Sequence, residues 1–189
     1  VDDKAKVVEV VAHNTGRVPK FDRLGQEPIH DRLTAKMLAV LMSEDLPDYL
    51  DENAKELLAA GRSAFAELGL ERARFIDAGS ATHVLTWRGT SANSLLAVLL
   101  TSMGFACETF DVGITLTGCP IDAASDVIAS IDGCPPIEDL GRFVENLMVE
   151  KYDAYVPEDL LRRVWVRRHE PLREPMRQLI RELSGMPSD

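Results

Sequence analysis

The chain contains no Gly-Lys pair among its 189 residues. A nucleotide hydrolase of the P-loop type requires G-x-x-x-x-G-K-[S/T], because backbone N–H groups and the lysine must surround the phosphates. This absence excludes a P-loop ATPase centre within these residues. G-x-S-x-G, which presents the nucleophile of many serine hydrolases, is missing as well.

Long apolar runs and a pairable set of cysteines are also missing. The run Leu95–Leu100 is far shorter than the roughly 20 residues of a transmembrane helix, so we expect no membrane span. Three cysteines cannot all pair and none lies in C-x-x-C, which predicts reduced thiols in the cytoplasm. The chain begins without Met or a signal-peptide core, and we expect it to be part of a longer protein.

Residues suited to catalysis are sparse. The four histidines show no H-x-x-x-H or H-E-x-x-H spacing, so we expect no metal site. Cys119, between Gly118 and Pro120, is either a nucleophile near a helix start or a small buried residue. Asp77 is either an acid/base group or a turn cap. We expect no catalytic residue, metal or cofactor here; a small enzyme with a cleft that the sequence does not reveal is a further alternative.

The composition is that of a folded chain with an uneven charge. Hydrophobic residues make up 46% of it, enough to form a core, and the formal net charge is -10. An acidic total argues against a surface coated in basic residues. From Arg162 to Arg181, however, the sequence contains seven arginines and only two acidic residues. Any cationic surface is therefore expected in the C-terminal third.

Hydrophobic periodicity predicts an α+β fold, in which a small mixed or antiparallel sheet packs against helices and the C-terminal third is helical. We divide it into residues 1–70 and 71–189, or treat it as one continuous domain. The first part comprises a valine-rich strand at 4–12, a Gly/Pro loop at 13–21 and two helices. One helix follows Pro28, and Asp51 caps the next. Their buried stripes are expected to be Ile29, Leu33, Met37 and Leu41, and Ala54, Leu57, Leu58, Phe65 and Leu68.

The second part alternates strands and helices. Strands are predicted at 72–78 and 82–88, followed by an almost wholly buried helix at 91–103 that ends at Gly104. Residues 105–117 predict one bent strand or a hairpin around Gly113. Four helices follow, with apolar positions Ile121, Ala124, Ile128 and Ile131; Ile137, Leu140, Val144 and Leu147; Leu160, Leu161, Val164 and Trp165; and Leu172, Met176, Leu179, Ile180 and Leu183.

The segment Thr86–Thr90 is the first candidate binding site. A strand that stops at glycine and opens a helix leaves N–H groups unpaired, a geometry that suits a phosphate. Arg88, Thr90 and Asn93 add donors, and Trp87 offers a stacking face for a base. The alternative is structural, with Trp87 in the core, Arg88 in a salt bridge and Thr90 as a helix cap.

The second candidate is an arginine stripe. Arg173, Arg177 and Arg181 are spaced four residues apart and share one helical face, and further arginines lie on the preceding helix. Several arginines on one face bind a phosphate backbone without reading sequence. The alternatives are a solvated face paired to neighbouring glutamates or a docking surface for an acidic partner.

Four segments together resemble a known family. They are Val7–Ala12 with Gly16–Phe21, the L-x-x-x-A-x-x-L-L of Leu50–Leu58, the W-x-G-T-x-x-x-x-L of Trp87–Leu95, and Tyr155–Leu161. They are similar to the region beyond the motor domains of bacterial superfamily 2 DEAD/DEAH-box helicases, akin to the large helicase-related family.

The resemblance implies a non-catalytic C-terminal accessory domain of an ATP-dependent DNA or RNA helicase. ATP and magnesium would bind in motor domains upstream, and these motor domains would be the principal partner. The domain would guide or clamp nucleic acid, weakly, through Trp87, Arg88, Thr90, Asn93, Arg173 and Arg177. The alternative is a structural or protein-interaction domain that docks a partner through its arginine-rich C-terminal helices.

Overall fold

A computed structural model describes residues 28–147 and 152–185. The predicted strand at 4–12 and the loop at 13–21 lie outside these ranges. In chain order, the helices are α1 (Asp31–Met42), α2 (Glu52–Glu67), α3 (Thr90–Ser102), α4 (Ile121–Ala129), α5 (Ile137–Leu140), α6 (Glu158–His169) and α7 (Arg173–Leu183). Three short 3-10 turns, at 141–143, 153–155 and 170–172, accompany the C-terminal helices.

The strands are β1 (Phe75–Asp77), β2 (Ala81–Leu85), β3 (Ala106–Phe110) and β4 (Gly113–Thr117). They form one antiparallel sheet in the order β1-β2-β4-β3. The fold is therefore α+β as predicted, and its sheet is antiparallel rather than mixed.

Two tight turns fix the register of this sheet. Asp77 accepts a hydrogen bond from the Gly79 amide (2.8 Å), so it caps the β1–β2 turn, the structural reading of this residue. Residues 105–117 form a hairpin rather than a bent strand. A Cβ at Gly113 would lie 2.1 Å from the Val84 carbonyl oxygen, so this point of the ladder requires glycine.

The main core lies between one face of the sheet and the helices α3, α4 and α7. Helix α3 is buried nearly all round, as its sequence predicts, with Leu95, Leu96, Leu99 and Leu100 at its centre. Helix α7 contributes Met176, Leu179, Ile180 and Leu183, which are buried as expected. The apolar periodicity of both helices is strong enough to identify their buried faces.

A second apolar cluster joins the helical pair to the sheet. Phe65, Leu85 and Trp87 form its centre, and Leu38 and Leu41 pack against them. In α1 the buried side is rotated from the predicted one, because Thr34 is buried whereas Leu33 and Met37 are exposed. In α2, Phe65 is buried as predicted, but Leu57 and Leu68 are exposed. A helix with apolar residues on several sides does not specify which side faces the core.

Helices α5 and α6 also depart from the prediction. Helix α5 stops at Leu140, and Val144 has extended backbone. Arg162 of α6 donates to the Gly141 carbonyl, so a side chain from another helix satisfies the backbone where α5 ends. Trp165 and Val166 pack against the main core. As a consequence, the predicted inward residues Leu160 and Val164 point to solvent.

Candidate interaction surfaces

Trp87 lies where β2 leads into α3, and its indole is buried. Its amide donates to the Val112 carbonyl, and its own carbonyl accepts from the Thr34 hydroxyl (2.9 Å). The indole ring meets Phe65 edge-on with centroids 6.1 Å apart. The indole Nε1 is buried and has no partner among the described residues. In this conformation the ring is a packing surface between α2 and the sheet, and no face of it is open to a base.

Trp87 has a backbone φ of 53°, the one positive value among the non-glycine residues of the described ranges. An aromatic side chain in this region carries a local conformational cost, which the surrounding bonds must hold in place. The amide and carbonyl bonds of Trp87 provide that restraint. The strand therefore turns sharply at this residue before α3 begins.

Asn93 is fully buried and closes the same turn from inside. Its carbonyl oxygen accepts from the Thr86 hydroxyl (2.5 Å), and its amide donates to the carbonyl oxygens of Arg88 (3.1 Å) and Phe110 (3.5 Å). A buried amide needs such partners, since an unpaired one would cost free energy. Asn93 thus fixes the turn from the interior of the protein.

The amides at the start of α3 are occupied by the beginning of α1. The Gly89 amide donates to the Asp31 carboxylate (2.5 Å), and the Thr90 amide donates to the Ile29 carbonyl (2.9 Å). The Thr90 hydroxyl accepts from the Ile29 amide (2.9 Å). At the position where the sequence predicts a phosphate, an intramolecular carboxylate satisfies the helix terminus.

Arg88 forms an ion pair with Glu182 of α7 through one guanidinium nitrogen. Its Nη2 lies 3.2 Å from Oε1 and 3.1 Å from Oε2, and each side chain is about a third exposed. The pair joins the start of α3 to α7. From the sequence, Arg88 is either a phosphate-binding residue or part of a salt bridge, and in the structure it forms a salt bridge.

Arg173 and Arg177 lie on the other flank of α7. Arg173 donates to the Cys134 carbonyl (3.4 Å), and Arg177 is paired with Glu174 (3.0 Å). Five residues separate Arg177 from Glu182, which places the two side chains about 140° apart around the helix. The structure thus separates the two candidate sets: Arg88 lies on the Glu182 flank, and the stripe lies on the flank that faces residues 131–134.

The sequence indicates arginines on α6 but not the exposed aliphatic residues beside them, and we define the outer face of α6 as Leu160, Arg163, Val164, Arg167 and Arg168. All five side chains are exposed, Leu160 by 43% and Val164 by 54%. The three arginines form no ion pair with any residue in 28–147 or 152–185. Arg163 and Arg167 also line an open groove of about 1030 Å³, whose lining includes the carboxylates of Glu138, Glu158, Asp159 and Glu170. The number of arginines in this helix indicates a cationic surface, but the hydrophobic periodicity predicts that Leu160 and Val164 are buried.

Two of the cysteines lie in environments that disfavour the thiolate form. Burial, with a smaller contribution from Cys119, raises the pKa of Cys107 to about 11. Burial likewise raises the pKa of Cys134. Cys119 is itself buried, which is the structural reading of that residue. Thiols held protonated at neutral pH are poor nucleophiles.

The histidines in the described ranges have structural partners. His30 caps α1 by accepting the Arg32 amide (3.1 Å), and His83 is hydrogen-bonded to Thr115 (2.9 Å). His169 is stacked on Trp165 at 4.2 Å and bonded to its carbonyl (2.8 Å). Over residues 28–147 and 152–185, no three His, Cys, Asp or Glu side chains are grouped as metal ligands. None of the helices there combines the length and apolarity that a bilayer crossing requires.

Within residues 28–147 and 152–185, the segment Trp87–Thr90 and the Arg88–Glu182 pair make intramolecular contacts. The outer face of α6 is an exposed surface with three arginines. No protein-family model, curated protein or solved structure matches the chain.

Proposed function

We propose that this chain is a non-catalytic accessory module that docks onto an acidic protein surface through the outer face of α6. One observation carries the proposal: three arginines without described ion-pair partners stand beside two exposed aliphatic side chains on one helix. Arginine is the cation that protein interfaces favour, and it makes planar, bidentate bonds to carboxylates.

Leu160 and Val164 favour a protein partner over a nucleic acid. Exposed aliphatic surface gains about 25 cal/mol per Å² when another apolar surface covers it. A phosphate backbone provides no such cover, whereas the apolar face of a protein does. A nucleic-acid site would more typically place aromatic rings beside the cations, as stacking platforms.

The resemblance noted in the sequence assigns this module to an ATP-dependent helicase, with ATP and magnesium bound by motor domains upstream. Those motor domains are then the principal partner, and the cytoplasm is the proposed location. The reading frame upstream of the Val1 codon tests this assignment, because a helicase must encode the phosphate-binding motif [A/G]-x-x-x-x-G-K-[S/T] there. An initiation codon directly before Val1 would overturn it.

Arginine-selective modification tests the docking surface. With a dicarbonyl reagent and mass spectrometry, Arg163, Arg167 and Arg168 should react quickly in the isolated chain, diluted until it is monomeric, and slowly in the full-length protein. Arg72, exposed beside β1, serves as the control and should react alike in both. Equal reactivity of the α6 arginines in both proteins would refute docking within the full-length chain.

The same three arginines keep nucleic-acid binding as a second candidate. Fluorescence anisotropy with a single-stranded oligonucleotide of about 20 nucleotides distinguishes it, because each phosphate neutralised steepens the salt dependence of binding. Docking predicts no saturable binding near physiological salt. Saturable binding that Arg163→Ala/Arg167→Ala abolishes would establish the nucleic-acid function instead.

A further inference from the structure

A second surface of this chain complements the outer face of α6. It is the segment 44–57, which joins α1 to α2 and enters α2, and which we call the acidic segment. All six of its carboxylates are exposed: Glu44, Asp45, Asp48, Asp51, Glu52 and Glu56. Its single cation, Lys55, is already paired with Glu52 (2.7 Å). The segment therefore presents a strong local negative charge.

The acidic segment also exposes large apolar side chains. Tyr49 is 86% exposed and Leu57 is 66% exposed, and Leu46 lies in the same segment with about half its surface in solvent. Large apolar side chains exposed close together mark a candidate docking surface, because contiguous apolar patches are uncommon on monomeric proteins. Both surfaces thus combine exposed apolar side chains with charged ones, and the charges of the two surfaces are opposite in sign.

The two surfaces belong to different parts of the fold. The acidic segment adjoins the cluster around Phe65 and Trp87, whereas α6 packs against α5 and the 3-10 turn at 141–143. No ion pair joins the two surfaces within the described part of the chain, so both are available to meet between two molecules.

We propose that the outer face of α6 binds the acidic segment of a second copy of this chain. Arg163, Arg167 and Arg168 face carboxylates of the partner copy, while Leu160 and Val164 cover its exposed apolar side chains. A two-fold dimer makes this contact twice, and any other arrangement propagates it from copy to copy. The inference rests on the proposed docking role of α6, and it names an occupant other than the motor domains, a second copy of this chain.

Analytical ultracentrifugation of the isolated chain provides the test. The average mass should rise above the monomer mass of 20.9 kDa as concentration increases. Added salt should lower it again, since the Debye length falls to about 8 Å at 0.15 M. A mass that stays at the monomer value at every concentration would overturn the proposal.

Charge reversal identifies the surfaces involved. Arg163→Glu/Arg167→Glu and Glu44→Lys/Asp45→Lys/Asp48→Lys should each be monomeric alone, because each presents two surfaces of the same sign. An equimolar mixture of the two variants should associate, because each reversed surface then meets its opposite. Failure of the mixture to associate, with both variants folded by circular dichroism, counts against the contact.

Two matched variants separate this contact from general charge effects. Glu71→Lys/Glu108→Lys/Asp126→Lys changes the net charge by the same amount as the acidic-segment variant, at exposed positions elsewhere, and should associate like the unmodified chain. Leu160→Ser/Tyr49→Ser keeps every charge and should weaken association. Dissociation caused by the Glu71/Glu108/Asp126 variant would attribute association to net charge and overturn the proposal.

The outcome is distinguishable from failure of the docking function. If the isolated chain is monomeric but the α6 arginines are protected in the full-length protein, the self-association proposal is wrong and the docking proposal stands. If the isolated chain is monomeric and the α6 arginines are not protected, both the self-association proposal and the docking proposal are wrong. A monomeric chain whose α6 reversal abolishes binding of an oligonucleotide of about 20 nucleotides would identify the surface as a nucleic-acid site.

Discussion

The Asp31 carboxylate accepts a hydrogen bond from the Gly89 amide across 58 residues of sequence, at 2.5 Å. This contact places a negative charge at the positive end of α3 and joins the first described helix to the centre of the fold. It also occupies the position where a free helix terminus would attract an anion.

Replacement of Asp31 should weaken this joint. Asp31→Ala removes a hydrogen bond to a charged group, and we expect a loss of about 1.5–3 kcal/mol in the free energy of unfolding. Urea denaturation followed by circular dichroism measures it. Asp48→Ala is the control, since that carboxylate is exposed in a turn, and it should change stability by less than about 0.5 kcal/mol. Equal effects of the two substitutions would contradict the role of Asp31.

Gly89 and Gly61 provide a matched pair of Gly→Ala substitutions. A Cβ at Gly89 would lie 2.3 Å from the Ile29 carbonyl oxygen and 2.8 Å from the Asp31 amide nitrogen, so Gly89→Ala should destabilise the fold by about 1–3 kcal/mol. At Gly61, inside α2, nothing lies within 4 Å, and Gly61→Ala should stabilise it by about 0.5–1 kcal/mol. Thermal unfolding should show shifts of opposite sign. A shared sign would refute the packing at Gly89.

His169 should make stability depend on pH. Burial lowers the pKa of His169 below the ordinary value of 6.5. The charge of Arg168 also lowers this pKa, whereas the hydrogen bond to the Trp165 carbonyl raises it in part. The folded protein therefore binds the proton less readily than the unfolded chain, so stability rises with pH in this range. The contribution of His169 is fully present above about pH 6.5 and is lost as pH falls through the lower folded value.

The variant His169→Phe tests this dependence, because it retains a ring against Trp165 and removes the titrating group. Denaturation midpoints measured from pH 7.5 down to about pH 5 should fall less steeply in the variant than in the unmodified chain. A slope unchanged by the substitution would show that other groups carry the pH dependence.

The three thiols should react slowly in the folded protein. Cys107 is partly exposed, but its pKa of about 11 leaves little thiolate at neutral pH, and Cys119 and Cys134 are buried. Alkylation by iodoacetamide, followed by mass spectrometry, should be far slower in buffer than in denaturant. Rapid modification of Cys119 in the folded chain would revive its interpretation as a nucleophile.

Part of the candidate site was predictable from local pattern and part was not. The sequence predicts that a strand stops near Gly89 and that a helix covers 91–103, and in the structure α3 begins one residue earlier, at Thr90. It does not indicate that Asp31 and Ile29 satisfy the first amides of that helix, because hydrogen-bond partners distant in sequence leave no local signal. The same holds for Arg88, whose partner Glu182 lies 94 residues away.

Sequence by itself determined the α+β class, the buried faces of α3 and α7, and the glycine turns, since these follow from helical period and from the steric limits on each residue. Tertiary structure alone decided that Arg88 and Arg177 lie on different flanks of α7 and that Leu160 and Val164 face solvent beside three arginines. The physical reason is that a helix with apolar residues on more than one side has several faces it can bury. Only the neighbours brought together by folding select one of them.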